Sequence, residues 1–351
     1  MALQTPLVAV RLVVREQSGF GGVAAITLFP LVLLAQADMK RILEYAWPII
    51  GLAAVAFSGW LLYRELHSLS ASAIMASLWA IPPHRWLLAV VSTVAAYAAL
   101  AWYDRIALLH LGKPLGWGFI SLVSFTTYAL SHNIGASVLS GAAVRYRAYS
   151  TKGLTAGEIG VLVALCSFTF MLGTVLLGGI VLLIEPDFFA EIYGIPAWGG
   201  RLIGIAMLGF VALYVLGSLM GFRPLKLGKF EIFYPRPVIV VRQLLAAPIE
   251  LLGAAGIIYF ALPSGDGVSF LAVLGAFLAS FSAALLSHAP GGLGVLELVF
   301  VKSLPGVDQA DVIAALLVFR LLYLLIPLVF ACFVVLIFER QRLADVIRKR
   351  V

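Results

Sequence analysis

Long apolar stretches separated by short polar connections dominate this chain. Because about 20 apolar residues cross the bilayer core as a helix, the pattern predicts full spans at 46–63, 86–104, 158–184, 199–221, 238–262 and 312–337. Two further apolar stretches, 117–150 and 268–304, contain an internal break. The pattern therefore predicts an all-α polytopic membrane protein.

The two broken stretches share a polar element. The first reads Ser131-His132-Asn133-Ile134-Gly135, and the second, 156 positions later, reads Ser287-His288-Ala289-Pro290-Gly291. A Ser-His pair is costly in apolar sequence, and Gly or Pro interrupts a helix. A shift of 156 residues also superimposes the other spans, which predicts two repeats, 39–184 and 185–338, each ordered span, span, broken helix pair, span. Matching helix breaks point to a site at the repeat interface.

Basic clusters predict the orientation of the repeats. They precede the 158–184 span, connect 199–221 to 238–262, and form the tail at 339–351. The positive-inside rule puts all three, and so the C-terminus, in the cytoplasm. Each broken stretch then enters and leaves on one side, which predicts inverted repeats with re-entrant hairpins. The alternative for each stretch is an ordinary span followed by a short return helix.

Residues 1–38 fit neither repeat. They contain an apolar run that ends in Ala35-Gln36-Ala37, which resembles a signal-peptide cleavage site. The following Met39-Lys40-Arg41 looks like a native start. We favour a mis-assigned start or an extra span over a cleaved signal.

Composition narrows the function classes. The chain is 62% hydrophobic and 12% charged, with a formal charge of +7. Its basic residues fall in short clusters between spans, which suits anionic lipid and argues against nucleic acid. Cys166 and Cys332 lie within apolar spans without a nearby His, so neither a disulfide nor a zinc site is expected. No cofactor is expected, and we expect no soluble catalytic domain, so an enzyme is disfavoured.

Charged residues inside the spans are the first candidates for function. Glu250 lies at the centre of the 238–262 span, two positions after Pro248. A carboxylate there should be protonated, paired or facing a wet cavity. Arg320 lies within the last span and is expected to pair with Glu297 or with Glu250. These charges either form structural ion pairs or line a cavity for a lipid headgroup.

The residues around the two breaks form the second group of candidates. Arg145 and Arg147 suit a lipid phosphate at the cytoplasmic interface, or they serve only as positive-inside anchors. His132 and His288 could bind phosphate, relay protons or hydrogen-bond the unwound backbone. No carboxylate or Cys stands at ligand spacing to either His, so no metal site is expected.

Several of these motifs, taken together, resemble the transmembrane region of lysylphosphatidylglycerol synthases. The resemblance runs from about residue 39 to 338. It rests on Tyr103-Asp104-x-x-Ala107-Leu108, Ser131-His132-Asn133-Ile134-Gly135, Leu139-Ser140-Gly141, Val144-Arg145-Tyr146-Arg147, Gly153-Leu154-Thr155-Ala156-Gly157-Glu158, Ser287-His288-x-Pro290-Gly291-Gly292-x-Gly294-Val295-x-Glu297 and Phe319-Arg320-x-x-Tyr323.

The resemblance implies a function in lipid handling. In the bifunctional members, a cytosolic domain makes an aminoacylated phosphatidylglycerol, and the membrane module is held to move it to the outer leaflet. This sequence is similar to the stand-alone membrane modules. By resemblance, the functional positions to carry over are Asp104, Arg145, Arg147, Glu297 and Arg320.

The leading hypothesis is a flippase-like transporter in the bacterial cytoplasmic (inner) membrane, carrying an anionic or aminoacylated phospholipid. The alternatives are an accessory subunit that docks a separate lipid-modifying enzyme and, less favoured, an intramembrane enzyme. The oligomeric state is left open, a homo-oligomer included. No catalytic residue is assigned. The predicted translocation site consists of Asp104, Ser131, His132, Asn133, Gly135, Arg145, Arg147, Glu250, Ser287, His288, Pro290, Gly291, Gly292, Glu297, Arg320 and Tyr323.

Overall fold

The structure of the protein is a computed structural model. It describes residues 71–134, 137–186, 194, 196–221, 225–227, 230–232, 235–262, 267–287 and 292–348. The predicted N-terminal extension and the predicted span at 46–63 lie outside the described residues. Gly135, His288, Pro290 and Gly291 also lie outside them.

The described residues are almost entirely helical. The first half contains α1 (Ala71–Ala80), α2 (Pro83–His110), α3 (Trp117–Ile134), α4 (Ser137–Tyr149), a 3₁₀ turn (Ser150–Lys152) and α5 (Ala156–Ile184). The second contains α6 (Ala197–Leu219), a short antiparallel hairpin of β1 (Leu225–Leu227) and β2 (Phe230–Ile232), α7 (Pro237–Ala261), α8 (Phe270–Ser287) and α9 (Val295–Ser303). It ends with α10 (Gln309–Phe319), a π-helical segment (Arg320–Leu325) and α11 (Ile326–Arg348).

Six helical stretches of the described chain are long and apolar enough to cross a membrane: α2, α5, α6, α7, α8 and the continuous stretch Gln309–Phe338. Five of them coincide with predicted full spans, which confirms the polytopic all-α class. The sixth, α8, is the first limb of the second broken stretch. Its length fits the alternative of a span followed by a short return helix, here the nine-residue α9. The inverted orientation of the two halves stays a prediction.

Both broken stretches form pairs of packed helices. Helix α3 packs against α4, and α8 packs against α9. The first of each pair ends within the polar element singled out above, at Ile134 and at Ser287. The sequence therefore located the two helix breaks correctly.

Helix α7 lies at the centre of the bundle and is the most buried of the candidate spans. Small residues allow its neighbours to approach closely, as is common between membrane helices. A methyl group at Gly253 would lie 2.9 Å from the carbonyl oxygen of Ser92 on α2, and one at Gly173 on α5 would lie 2.5 Å from the Cβ of Ala247. This close packing brings polar side chains of α2 and α5 next to α7.

Candidate functional site

The first polar cluster joins α2, α4 and α5 around Asp104. Arg145 donates to this carboxylate from Nη2 to Oδ1 at 2.7 Å and from Nε to Oδ2 at 3.2 Å. The hydroxyl of Tyr149 donates to Oδ2 at 2.8 Å, and the thiol of Cys166 lies 3.4 Å from Oδ1. Asp104 is completely buried and Arg145 nearly so. The fork-like geometry makes this a strong, neutral ion pair.

The second ion pair joins α9 to the π-helical segment. Arg320 donates from Nε to Oε1 of Glu297 at 2.5 Å, and its Nη2 contacts the same oxygen. The other carboxylate oxygen, Oε2, accepts the backbone N–H of Gly294 at 2.8 Å. Gly294 has a φ of 77°, a backbone conformation that favours glycine, so the turn before α9 positions Glu297. The sequence left the partner of Arg320 open between two acids, and the structure pairs it with Glu297.

Glu250 forms a third polar centre in the middle of α7. Its carboxylate accepts the hydroxyl of Tyr323 at 2.8 Å and lies 3.5 Å from the hydroxyl of Tyr103. The side chain is buried. Within the described chain, no Lys, Arg or His forms a salt bridge with Glu250. Glu250 therefore differs from Asp104 and Glu297, each of which has an arginine partner.

The polar element at the end of α3 contacts the π-helical segment. The ring of His132 stacks on that of Tyr323, with centroids 5.4 Å apart. Asn133 donates from Nδ2 to the backbone oxygen of Leu324 at 3.1 Å and to that of Ala129 at 2.7 Å. Ser131 donates within α3, to the carbonyl oxygen of Tyr128 at 3.4 Å. Asn133, more than His132, thus anchors the first half of the chain to the last membrane helix.

The π-helical segment has an identifiable cause. Pro327 has no backbone N–H to donate, so a carbonyl in the preceding turn loses its usual helical partner. The hydroxyl of Tyr97 on α2 donates to the carbonyl oxygen of Tyr323 at 2.9 Å, and Asn133 serves that of Leu324. Side chains of two other helices therefore satisfy the irregular backbone, as a membrane interior requires. Short π segments are frequent at functional sites.

Aromatic rings fill the space between the two ion pairs. We call Tyr128, His132, Tyr323 and Phe319 the aromatic bridge. The guanidinium of Arg145 lies 4.8 Å from the ring centre of Tyr128, and successive centroids along the bridge are 5.6, 5.4 and 5.0 Å apart. Phe319 directly precedes Arg320, so the bridge extends from one ion pair to the start of the other.

Other predicted site residues lie apart from this centre or contribute through the backbone. Arg147 is exposed, whereas Arg145 is buried, because residues two apart face different sides of α4. Ser287 ends α8 and donates to the carbonyl oxygen of Ala284 at 2.8 Å. Gly292 has a φ of 64° and its Cα packs so closely on α8 that an added methyl would lie 2.9 Å from the Cβ of Ala284.

Sequence reasoning included Tyr323 in the site but missed four other tyrosines there. Tyr97, Tyr103, Tyr128 and Tyr149 each meet a charged group or a free carbonyl there, yet tyrosine in a membrane helix carries no strong signal alone. It also missed the buried pairing of Gln243 with Thr169 and Tyr214, at 2.8 and 2.7 Å. The described residues contain no group of three or more His, Cys, Asp or Glu arranged to hold a metal ion.

Comparison with known proteins agrees with this membrane architecture. Residues 49–331 match the family described as the lysylphosphatidylglycerol synthase TM region. The chain belongs to this family. Both polar helix breaks, one in each half of the chain, therefore lie within the matched region.

Relatives include both stand-alone and larger proteins. The chain is 30% identical over 292 residues to the uncharacterized protein slr0712 of Synechocystis sp., covering 82% of this chain and 90% of the relative. It is 31% identical over 258 residues to the inner membrane protein YbhN of Escherichia coli, covering 73% and 80%. It is 26% identical over 274 residues to the phosphatidylglycerol lysyltransferase of Staphylococcus aureus, covering 77% of this chain but 31% of that enzyme. The protein is therefore a multi-pass membrane protein related to the membrane region of a phospholipid-modifying enzyme.

Proposed function

We propose that this protein is a lipid transporter that passes the headgroup of an anionic or aminoacylated phospholipid through its polar centre. The carrying observation is the presence of two buried arginine–carboxylate pairs, one from each half of the chain, joined by the aromatic bridge. Charges in a membrane interior are costly, and they usually mark a substrate or ion pathway.

Partner exchange explains how such pairs could handle a headgroup. A lipid phosphate offers Arg320 anionic oxygens in place of Oε1 of Glu297, which now accepts from Nε and contacts Nη2. Glu297, once released, can accept the ammonium group of an aminoacylated headgroup. With an aminoacylated headgroup one ion pair is replaced by two, so no unpaired charge is left in the bilayer. With an anionic headgroup that has no ammonium, Glu297 keeps only the backbone N–H of Gly294.

Glu297–Arg320 is the pair better suited to this exchange. Its side chains retain 8% and 12% exposure, whereas those of Asp104 and Arg145 retain 0% and 5%. Arg320 also belongs to the π-helical segment, whose backbone depends on side chains of α2 and α3. We infer that movement of this segment opens the pair to a lipid.

The proposal extends to the orientation of the protein. The two halves would be inverted repeats with opposite entry of their helix pairs, and the C-terminal residues 339–351 would lie in the cytoplasm. The basic connections between spans support this arrangement. Single cysteines at Ser131 and Ser287 test it, since aqueous label that reaches both from the same face contradicts opposite entry.

A reconstituted transport assay tests the function directly. The full chain in proteoliposomes should move fluorescent phosphatidylglycerol or lysyl-phosphatidylglycerol between leaflets, measured by chemical quenching of the outer leaflet. Truncating one member of a buried ion pair costs about 2 kcal/mol or more of binding, which corresponds to a roughly thirtyfold loss of transport in Arg320→Ala. Lys113→Ala is the matched control, because it removes a half-exposed cation from the connection between α2 and α3. Equal lipid movement in wild type, Arg320→Ala and empty vesicles would refute transport.

Similarity to the lysyltransferase favours one second candidate, an accessory subunit that docks a separate lipid-modifying enzyme. Copurification of such an enzyme from native membranes, with no lipid movement by the purified chain alone, would support it over transport.

A further inference from the structure

Glu250 is unlike the other two carboxylates at the centre of the protein. Asp104 and Glu297 are each matched by an arginine, so their charges are already compensated. Glu250 is 2% exposed and has no salt-bridge partner in the described chain. Its hydrogen-bond partners are the hydroxyls of Tyr323 and Tyr103. The transport scheme above exchanges partners at Glu297–Arg320 and leaves Glu250 without a role.

The elements packed against α7 supply several other titratable groups. Helix α2 contributes Tyr97 and Tyr103, α5 contributes Cys166, and the π-helical segment contributes Tyr323, on which His132 of α3 stacks. None of them is a fixed positive charge. Helix α10, which also packs against α7, carries Asp311 in its first turn, and each of the two ion pairs is neutral as a unit. Helix α8 presents no ionisable side chain, and the nearest polar group of α6, Tyr214, bonds to Gln243 instead.

We propose that Glu250 is a proton-binding site that couples the proposed lipid transport to proton movement. A carboxylate at the middle of a membrane helix and without a cation is stabilised in its neutral form, so it takes up a proton whenever the aqueous phase can reach it. The proton adds to a carboxylate oxygen of Glu250 when the site is open to one side of the membrane. The same O–H bond breaks when the site is open to the other side. No oxidant, metal or cofactor takes part.

The hydrogen-bond donors around Glu250 favour a proton over a metal cation. Sodium or another hard cation needs several oxygen lone pairs directed at it. Here the hydroxyl of Tyr323 donates to the carboxylate, with the two oxygens 2.8 Å apart. The described residues also bring no cluster of further acidic or Cys and His ligands to this place. The groups around Glu250 therefore suit the binding of a proton to its carboxylate and not the binding of a metal cation.

Tyr323 links the protonation state of Glu250 to the lipid site. It bonds to Glu250, its own carbonyl oxygen accepts from Tyr97, and it lies three residues after Arg320 in the π-helical segment. A carboxylate can accept from both tyrosines, whereas a carboxylic acid donates from one of its oxygens. The tyrosine facing that oxygen then becomes an acceptor, and its own hydroxyl hydrogen must turn to another acceptor. Protonation therefore changes the hydrogen bonds that hold this segment, which is the bistable element a coupled transporter requires.

The inference rests on the proposed function for its coupling part, but proton binding can be measured independently. Infrared difference spectra of the full chain in lipid bilayers, recorded across a pH titration, report the C=O stretch of a protonated carboxyl group. We expect one such band to be lost in Glu250→Gln and kept in Glu158→Gln, which removes a carboxylate at the start of α5 while keeping a residue suited to its capping box. A band that survives in Glu250→Gln would overturn the assignment.

If Glu250→Gln does not fold, Tyr323→Phe replaces it, because removal of that donor should shift the frequency of the same band. An unshifted band would equally overturn it.

Coupling is measured as the leaflet ratio of fluorescent phosphatidylglycerol in proteoliposomes with an imposed pH gradient. With one proton per lipid, each pH unit should change the steady-state ratio by about tenfold in wild type. The ratio reached with Glu250→Gln should not change with the gradient. A ratio that follows the gradient equally in Glu250→Gln, or follows a sodium gradient at fixed pH, would overturn the coupling. Loss of all lipid movement in wild type, with the infrared band intact, would refute the transport function and leave the proton site standing.

Discussion

The two ion pairs of this protein are chemically alike but held in different ways. Asp104 accepts from Arg145 and Tyr149 and contacts Cys166, so side chains of α4 and α5 converge on a fully buried acid of α2. Glu297 is held by the N–H of Gly294 in its own turn and by Arg320 at the start of an irregular helical segment. The contacts of the first pair connect three regular helices. The second pair connects the helix that follows a glycine turn to the π-helical segment. We propose from this comparison that Asp104–Arg145 stabilises the fold and that Glu297–Arg320 exchanges partners.

The largest expected effect in this comparison is on the first pair. Arg145→Ala leaves Asp104 as an uncompensated buried charge, which should cost about 3–5 kcal/mol of stability. Thermal unfolding of the purified protein in detergent measures this. The matched change in the second pair, Arg320→Ala, should lower the unfolding temperature less, because the side chain of Glu297 retains 8% exposure and that of Asp104 retains 0%. A larger loss of stability in Arg320→Ala than in Arg145→Ala would reverse the assignment of the two roles.

A smaller effect is expected where α3 supports the π-helical segment. Asn133→Leu removes the donor to the carbonyl oxygen of Leu324, and hydrogen bonds between membrane helices contribute about 0.6–1.7 kcal/mol. Tyr97→Phe removes the corresponding donor to Tyr323 and should cost a similar amount. Thermal unfolding gives the stability, and transport assays show whether Arg320 remains positioned. If both variants match wild type in both measurements, the segment does not depend on these side chains.

The smallest effect is expected at Arg147. Its side chain is exposed on the other side of α4 from Arg145, so Arg147→Ala should change stability by less than about 0.5 kcal/mol. Lipid transport should also stay close to wild type if the buried pairs carry the headgroup. Transport lost in Arg147→Ala but retained in Arg320→Ala would move the lipid site from the protein interior to the membrane surface.

Much of the architecture was predictable because apolar length and helix breakers act locally. Five predicted spans and both helix breaks agree with the structure, since each depends on a run of residues close in sequence. The charged members of the site were also predictable, because Asp104, Glu250, Glu297 and Arg320 stand out in apolar surroundings. Tyr97, Tyr103, Tyr128 and Tyr149 were not, because amphipathic tyrosine side chains are ordinary in membrane helices until a partner is known.

The sequence by itself determined the membrane class, the helix breaks and the charged residues that must find partners. Only the tertiary structure decided which partners they found. Arg320 could have paired with Glu250 or Glu297, and the turn at Gly294 together with the register of α9 selected Glu297. That selection left Glu250 with tyrosine hydroxyls as its donors. This choice of partners follows from the close packing of the helices. Small residues such as Gly253 set the distance between α2 and α7, and that distance cannot be read from the hydrophobic pattern.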